Sequence, residues 1–153
     1  MAVAGVDPHR VFHADFAGLK PGSSFLYHVL KDGKEVFAAE AKAPPSADQK
    51  YRFVAFADIG AETTVQKRLT TLAFAEKPDF VVVPGDIVYE RGLISEYRTR
   101  FWPIYNADKA DSAGALLLRA VPMISAPGNH DLDTRDLDKF PGALSFFITG
   151  ISP

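Results

Sequence analysis

Five side chains of this sequence have the chemistry to hold a metal ion or to work beside one: Asp58, Asp86, Tyr89, Asn129 and His130. All stand just past short apolar runs. Phe53-Val54-Ala55-Phe56-Ala57 leads into Asp58-Ile59-Gly60, and Phe80-Val81-Val82-Val83 into Pro84-Gly85-Asp86-Ile87-Val88-Tyr89. Pro122-Met123-Ile124-Ser125-Ala126 leads into Pro127-Gly128-Asn129-His130-Asp131. Runs of this length read as buried strands, and the glycines beyond them as turns. Strands that each end on oxygen or nitrogen donors deliver those donors to the crevice beyond the carboxyl ends of an open α/β sheet, where sites form. Two carboxylates, an amide and an imidazole gathered there suit hard or borderline cations.

A dinuclear hydrolytic centre needs a carboxylate that can bridge two cations about 3.5–4 Å apart, with terminal ligands on each side. Asp86 is the candidate bridge, because it follows the middle motif. Asp58 would then bind one metal and Asn129 the other. Asn129 offers a neutral carbonyl oxygen, which leaves the cations electrophilic. His130 would face the substrate, hydrogen-bonding a phosphoryl oxygen or protonating a leaving group. Plainer roles compete with each assignment. An aspartate after a strand is often a turn residue or helix cap, and a tyrosine there often packs with a wet hydroxyl. Asp131 either orients His130 or is solvated. His9 and His13 are spaced to make a metal pair only on a helix, and their segment reads as strand. Arg91, Arg98 and Arg100 fit either phosphate contact or an exposed helix face.

The elements that would position these groups follow from pattern. Residues 11–41 read as β structure. Phe12, Ala14 and Phe16 alternate with polar residues, and a second strand is expected over 25–31. Asp32-Gly33 supplies the positive φ angles of a type I′ hairpin turn, and 36–41 is the returning strand. Three strands are too few for a sandwich, which needs about seven, so this piece is expected to be the end of a β-sandwich domain. Pro44-Pro45-Ser46-Ala47-Asp48 marks a linker over 44–50. Beyond it strands and helices alternate. Thr63-x-x-Gln66 has the form of a capping box, with Val65, Leu69, Leu72 and Ala73 on one helical face and Pro78 past its end. Right-handed parallel crossovers are expected. A helix is predicted over 93–101, broken by Pro103, then a short one over 112–119. A polar loop follows through Asp138, and 143–149 begins another strand.

Composition limits the function classes. The 153 residues are 47% hydrophobic and 24% charged with a net charge of -2, which provides no general field for nucleic acid or anionic lipid. No apolar run approaches the roughly 18 residues of a membrane-spanning helix, and residues 1–10 lack the apolar core of a signal peptide. The absence of cysteine excludes disulfides, thiolate ligands and a cysteine nucleophile but leaves the compartment open.

The three motif blocks, Asp58-Ile59-Gly60, Gly85-Asp86-Ile87-Val88-Tyr89 and Gly128-Asn129-His130-Asp131, resemble the first three blocks of calcineurin-like metallophosphoesterases. Within that superfamily they are most similar to the purple acid phosphatase branch. Gly60 stands where other branches carry a metal-binding histidine, and Tyr89 stands where this branch has a tyrosinate ligand to iron. Leu19-Lys20-Pro21-Gly22 resembles a turn of the fibronectin III-like domain that precedes the catalytic domain in these enzymes. The resemblance implies residues 1–43 as the last strands of that domain and 51–153 as the first half of a metallophosphoesterase α/β sandwich. It implies a phosphate ester substrate and a metal-bound hydroxide at a dinuclear centre of iron paired with iron, zinc or manganese, with Asp58, Asp86, Tyr89 and Asn129 as ligands. Asn129 and His130 would contact substrate, and His130 would be catalytic. Members of the family are often secreted or periplasmic.

The sequence departs from the pattern in three ways. Ala57 precedes Asp58 where glycine is usual. Phe25 replaces a frequent tyrosine. No histidine follows His130, although the family supplies three more metal-binding histidines from two later blocks. The chain is therefore expected to be a fragment cut within both domains, binding metal weakly and hydrolysing esters poorly or not at all. The competing expectation is a truncated product with no catalytic role.

Overall fold

A computed structural model describes residues 12–132. The expected features at His9, at 133–138 and at 143–149 lie outside the described residues. Two sheets are present. β1 (Ser24–Lys31) and β2 (Lys34–Lys42) form an antiparallel hairpin, with Lys31 opposite Lys34 across the turn. Asp32 and Gly33 both take positive φ, 52° and 76°, as a two-residue hairpin turn demands. Residues 12–16 form no strand, contrary to expectation. Phe16 instead rests its ring 5.3 Å from Phe25 and 6.0 Å from Tyr27, so aromatic packing rather than a hydrogen-bond ladder holds this segment. Among the described residues no further strand precedes the second sheet.

The second sheet holds β3 (Phe53–Ala55), β4 (Phe80–Val83) and β5 (Met123–Ser125), in the order β3-β4-β5 and parallel throughout. Parallel neighbours require long crossovers, and helices supply them. α1 (Thr64–Ala75) joins β3 to β4. From β4 to β5 the chain passes through α2 (Ile94–Glu96), a π-helical turn (Tyr97–Phe101), α3 (Trp102–Tyr105) and α4 (Leu117–Ala120). The core gathers Val81 and Val83 of β4 with Ile59, Ile87, Val88, Phe101, Ile104, Tyr105 and Leu117. Each buried aliphatic side chain contributes about 1.5–3 kcal/mol. Tyr105 is fully buried, its hydroxyl donates to the Ile59 carbonyl at 3.2 Å, and burial pushes the phenol up to about 12. No helix among the described residues is long and apolar enough to cross a membrane.

Three helical expectations need correction. The Thr63 hydroxyl accepts from the Gln66 N–H at 3.1 Å, but the Gln66 side chain accepts from Glu62 N–H and donates to the Arg100 carbonyl instead of closing a capping box. α1 therefore turns Gln66, Thr70 and Ala73 inward and leaves Val65, Leu69 and Leu72 exposed. Its buried polar groups are all bonded, Thr70 to the Gln66 carbonyl at 2.8 Å. Pro103 does not break its helix. It follows a π-helical turn, whose widened bonding pattern tolerates a residue without an N–H. Of the helix expected over 112–119 only Leu117–Ala120 forms, because 111–114 closes as a turn with Asp111 N–H bonded to the Gly114 carbonyl.

Asp79 joins the hairpin to the sheet at the start of β4. It is 7% exposed, pairs with Lys42 and accepts from Arg52 N–H at 2.7 Å. The Lys42 ammonium first, and then the Arg52 N–H, hold its carboxyl below the usual carboxylate range. A pKa lowered by folding means that the unfolded chain takes the proton more readily. The stabilisation is thus complete above about pH 4 and is lost as pH falls through the folded value. Urea midpoints measured from pH 7 to pH 2.5 should show Asp79→Asn less stable at neutral pH by about 1–3 kcal/mol, converging on the wild type in acid.

Candidate metal centre

The three loops that carry the candidate donors leave the same end of the parallel sheet, and the central loop is joined to both neighbours. On one side the joint is backbone. Asp58 N–H donates to the Gly85 carbonyl at 3.3 Å, Ile59 N–H to Asp86 at 2.9 Å, and Tyr89 N–H to Gly60 at 3.3 Å. This pairing needs Gly60, since a Cβ there would stand 2.2 Å from the Ile87 carbonyl oxygen. On the other side the joint is mostly side chain. His130 N–H donates to Asp86 Oδ1 at 3.0 Å, and Asp131 accepts from Ile87, Val88 and Gly128.

Asp58 and Asp86 both take left-handed backbone, with φ of 59° and 51°. Aspartate visits this region more readily than most side chains, at a local cost that sites commonly carry. The Tyr89 hydroxyl lies 2.6 Å from Asp58 Oδ1 and 3.2 Å from Asp86 Oδ2, so the two carboxylates converge on one phenol. Desolvation first, and then the hydrogen bond to Asp58, push that phenol well above its ordinary value. In this arrangement it is a hydrogen-bond donor, and it would have to release its proton to become a ligand. Asp58 and Asn129 are exposed, whereas Asp86, Tyr89 and His130 are half-buried.

The His130 ring lies 4.5 Å from the Tyr89 ring, and its Nδ1 is 3.1 Å from the Glu90 carbonyl. A carbonyl can only accept, so Nδ1 carries the proton and Nε2 is the acceptor of the neutral ring. Among the described residues no three His, Asp or Glu side chains come together as a metal-binding group. What does converge is Asp58, Asp86 and Tyr89, with the Asn129-His130 loop docked on Asp86 through backbone.

Asp131 and Arg100 depart from their expectations, and Glu96 is a residue that sequence reasoning missed. Asp131 is neither solvated nor bonded to the His130 ring, and it is fully buried. Glu96 accepts from the N–H groups of Glu90, Arg91 and Leu93 and so ties down the loop after Tyr89. Arg100 faces neither phosphate nor solvent alone, since its guanidinium donates to the Tyr89 carbonyl. Glu96 bonds main-chain groups only three to six positions before it, and Arg100 reaches a carbonyl eleven positions back, so neither partner is marked by a side chain in the sequence.

No curated protein matches the chain significantly. The family model of calcineurin-like phosphoesterases matches residues 51–151, which takes in all three loops and the parallel sheet. The chain therefore belongs to the calcineurin-like phosphoesterases, a family of metal-dependent phosphoester hydrolases.

Proposed function

We propose that Asp58, Asp86 and Asn129, with Tyr89, hold a pair of metal ions at which a phosphate ester is hydrolysed, and that Asn129 and His130 contact the substrate. The observation that carries this is the convergence of the Asp58 and Asp86 carboxylates on the Tyr89 hydroxyl. The donors are oxygens, which suits hard cations such as Mg(II) and Mn(II), and Fe(III) where Tyr89 ionises. When bound, the metals supply Lewis acidity and a nucleophile at neutral pH. Asp86, central among the three loops, would be the ligand shared by the metals, and Asn129 would add a ligand without adding charge. His130, fixed through Nδ1 on the Glu90 carbonyl, has Nε2 to hydrogen-bond a phosphoryl oxygen or, once protonated, to pass a proton to the leaving oxygen.

The finer assignment is to the purple acid phosphatase-like branch, with the hairpin as the end of a fibronectin III-like domain. Two features support the branch. Gly60 is pressed so closely on Ile87 and Val88 that a histidine there would require the backbone to move, and Tyr89 touches both carboxylates. Iron paired with iron, zinc or manganese follows from that assignment. Loaded with Fe(III), the chain should show a visible tyrosinate-to-iron absorption band that Tyr89→Phe abolishes. A band that persists in the variant would remove Tyr89 from the ligand set.

The function itself is tested by hydrolysis of an aryl phosphate by the 153-residue chain under Mn(II) titration. Turnover should depend on Mn(II) and be lost in Asp86→Asn. Turnover independent of Mn(II), or retained in Asp86→Asn, would contradict the proposal.

A further inference from the structure

Asp131 is the fully buried acid at the centre of the loop cluster, and its bonding differs from that of any neighbour. Oδ1 accepts from Ile87 N–H at 3.0 Å and Val88 N–H at 3.1 Å, while Oδ2 accepts from Ile87 at 3.0 Å and Gly128 at 2.8 Å. The Tyr97 hydroxyl approaches Oδ1 at 3.4 Å. One carboxylate therefore joins the loop that carries Asp86 to the loop that carries Asn129 and His130. The joint on the other side of Asp86 uses three backbone pairs. On this side, among the described residues, the only main-chain pairs lie back on the strands, such as Ala126 N–H to Val83. Removing Asp131 would leave two bonded links between these segments, both made by His130, its N–H on Asp86 Oδ1 and its Nδ1 on the Glu90 carbonyl.

We propose that Asp131 is a positioning residue for the metal centre, fixing the separation of Asp86 from Asn129 and His130 without touching metal or substrate. The inference rests on the metal-site reading above. A carboxylate suits the task because both of its oxygens accept, so it can satisfy three buried N–H donors at once. An asparagine of the same shape cannot. Whichever way the amide is turned, its NH2 group faces either Val88 N–H or Gly128 N–H, and a buried donor is left unpaired.

The test measures the Mn(II) dissociation constant by electron paramagnetic resonance, with urea midpoints, for the wild type, Asp86→Asn, Asp131→Asn and Asp79→Asn. Asp79→Asn is the control. It makes the same change at another buried carboxylate that accepts a backbone N–H, but at the opposite end of β4. Asp131→Asn should weaken Mn(II) binding about 10–100-fold, the range for residues that orient ligands. Asp79→Asn should lose stability with its affinity unchanged. Wild-type affinity in Asp131→Asn, or an equal loss in both variants, would overturn the positioning role while leaving the metal site in place. Equal Mn(II) uptake by the wild type and Asp86→Asn would instead remove the site and the proposal together. Hydrogen exchange on the wild type needs no variant. The amides of Ile87, Val88 and Gly128 should be protected as a group and more so with Mn(II), and rapid independent exchange at these amides would overturn the proposal.

Discussion

Asp86→Asn is expected to weaken Mn(II) binding by about 100-fold or more, beyond the effect of a residue that only orients ligands, while the fold stays intact. The substitution isolates the charge. Residue 86 has φ of 51°, and asparagine tolerates left-handed backbone as well as aspartate does. The amide oxygen can still accept from His130 N–H, now at 3.0 Å, and the side-chain volume is unchanged. What disappears is the negative charge of the group at the centre of the three loops. Isothermal titration with Mn(II), beside circular dichroism, checks this. Retained affinity in a folded variant would move the metal site away from Asp86.

Gly128→Ala should be nearly as damaging for a steric reason. A Cβ at position 128 would lie 2.1 Å from Asp86 Oδ1, 2.4 Å from Asp86 N and 2.8 Å from Asp86 Cγ. The backbone nitrogen cannot rotate away, so the two loops must part, stretching the bonds that cross between them, His130 N–H to Asp86 at 3.0 Å and Ile87 and Val88 N–H to Asp131 at 3.0 and 3.1 Å. Overpacking of this kind costs about 1–3 kcal/mol, and the upper end applies because the methyl meets main chain. Urea unfolding should register that loss together with loss of Mn(II) binding. A variant within about 0.5 kcal/mol of the wild type, the range of a neutral surface change, would mean that the loops do not approach as closely as described.

The placement of the candidate donors was legible in the sequence because each motif follows a short, largely apolar run that reads as a strand, although only β4 is buried as expected and the flanking strands leave Phe53 and Ile124 exposed. Three such runs with glycine at the exit imply a parallel sheet with its donors at one end. The hairpin was legible for a similar reason, since Asp32-Gly33 specifies its own turn. What holds the donors was not legible. Asp131 looks like any polar residue of a histidine-bearing loop, and its burial depends on backbone N–H groups more than forty positions away. Glu96 and Arg100 act on main-chain groups, which have no sequence identity. Periodicity marks Val65, Leu69, Leu72 and Ala73 as the core face of α1, but of these only Ala73 buries, beside Gln66 and Thr70, which hydrogen bonds make tolerable there. Pro103 misled because a π-helical turn removes the conflict that usually ends a helix at proline.

The proposal that Asp58, Asp86 and the Asn129-His130 loop form one phosphate-handling metal site is tested most directly by phosphorus-31 line broadening of inorganic phosphate in the presence of the chain and substoichiometric Mn(II). Broadening falls steeply with distance from the paramagnetic ion, so it reports whether metal and phosphate meet on the protein. The wild type should broaden the line well beyond free Mn(II), Asp86→Asn should return it to the free-ion value, and Asp79→Asn should match the wild type. Broadening that is no greater than that of free Mn(II), or that survives unchanged in Asp86→Asn, would contradict a metal site at these loops.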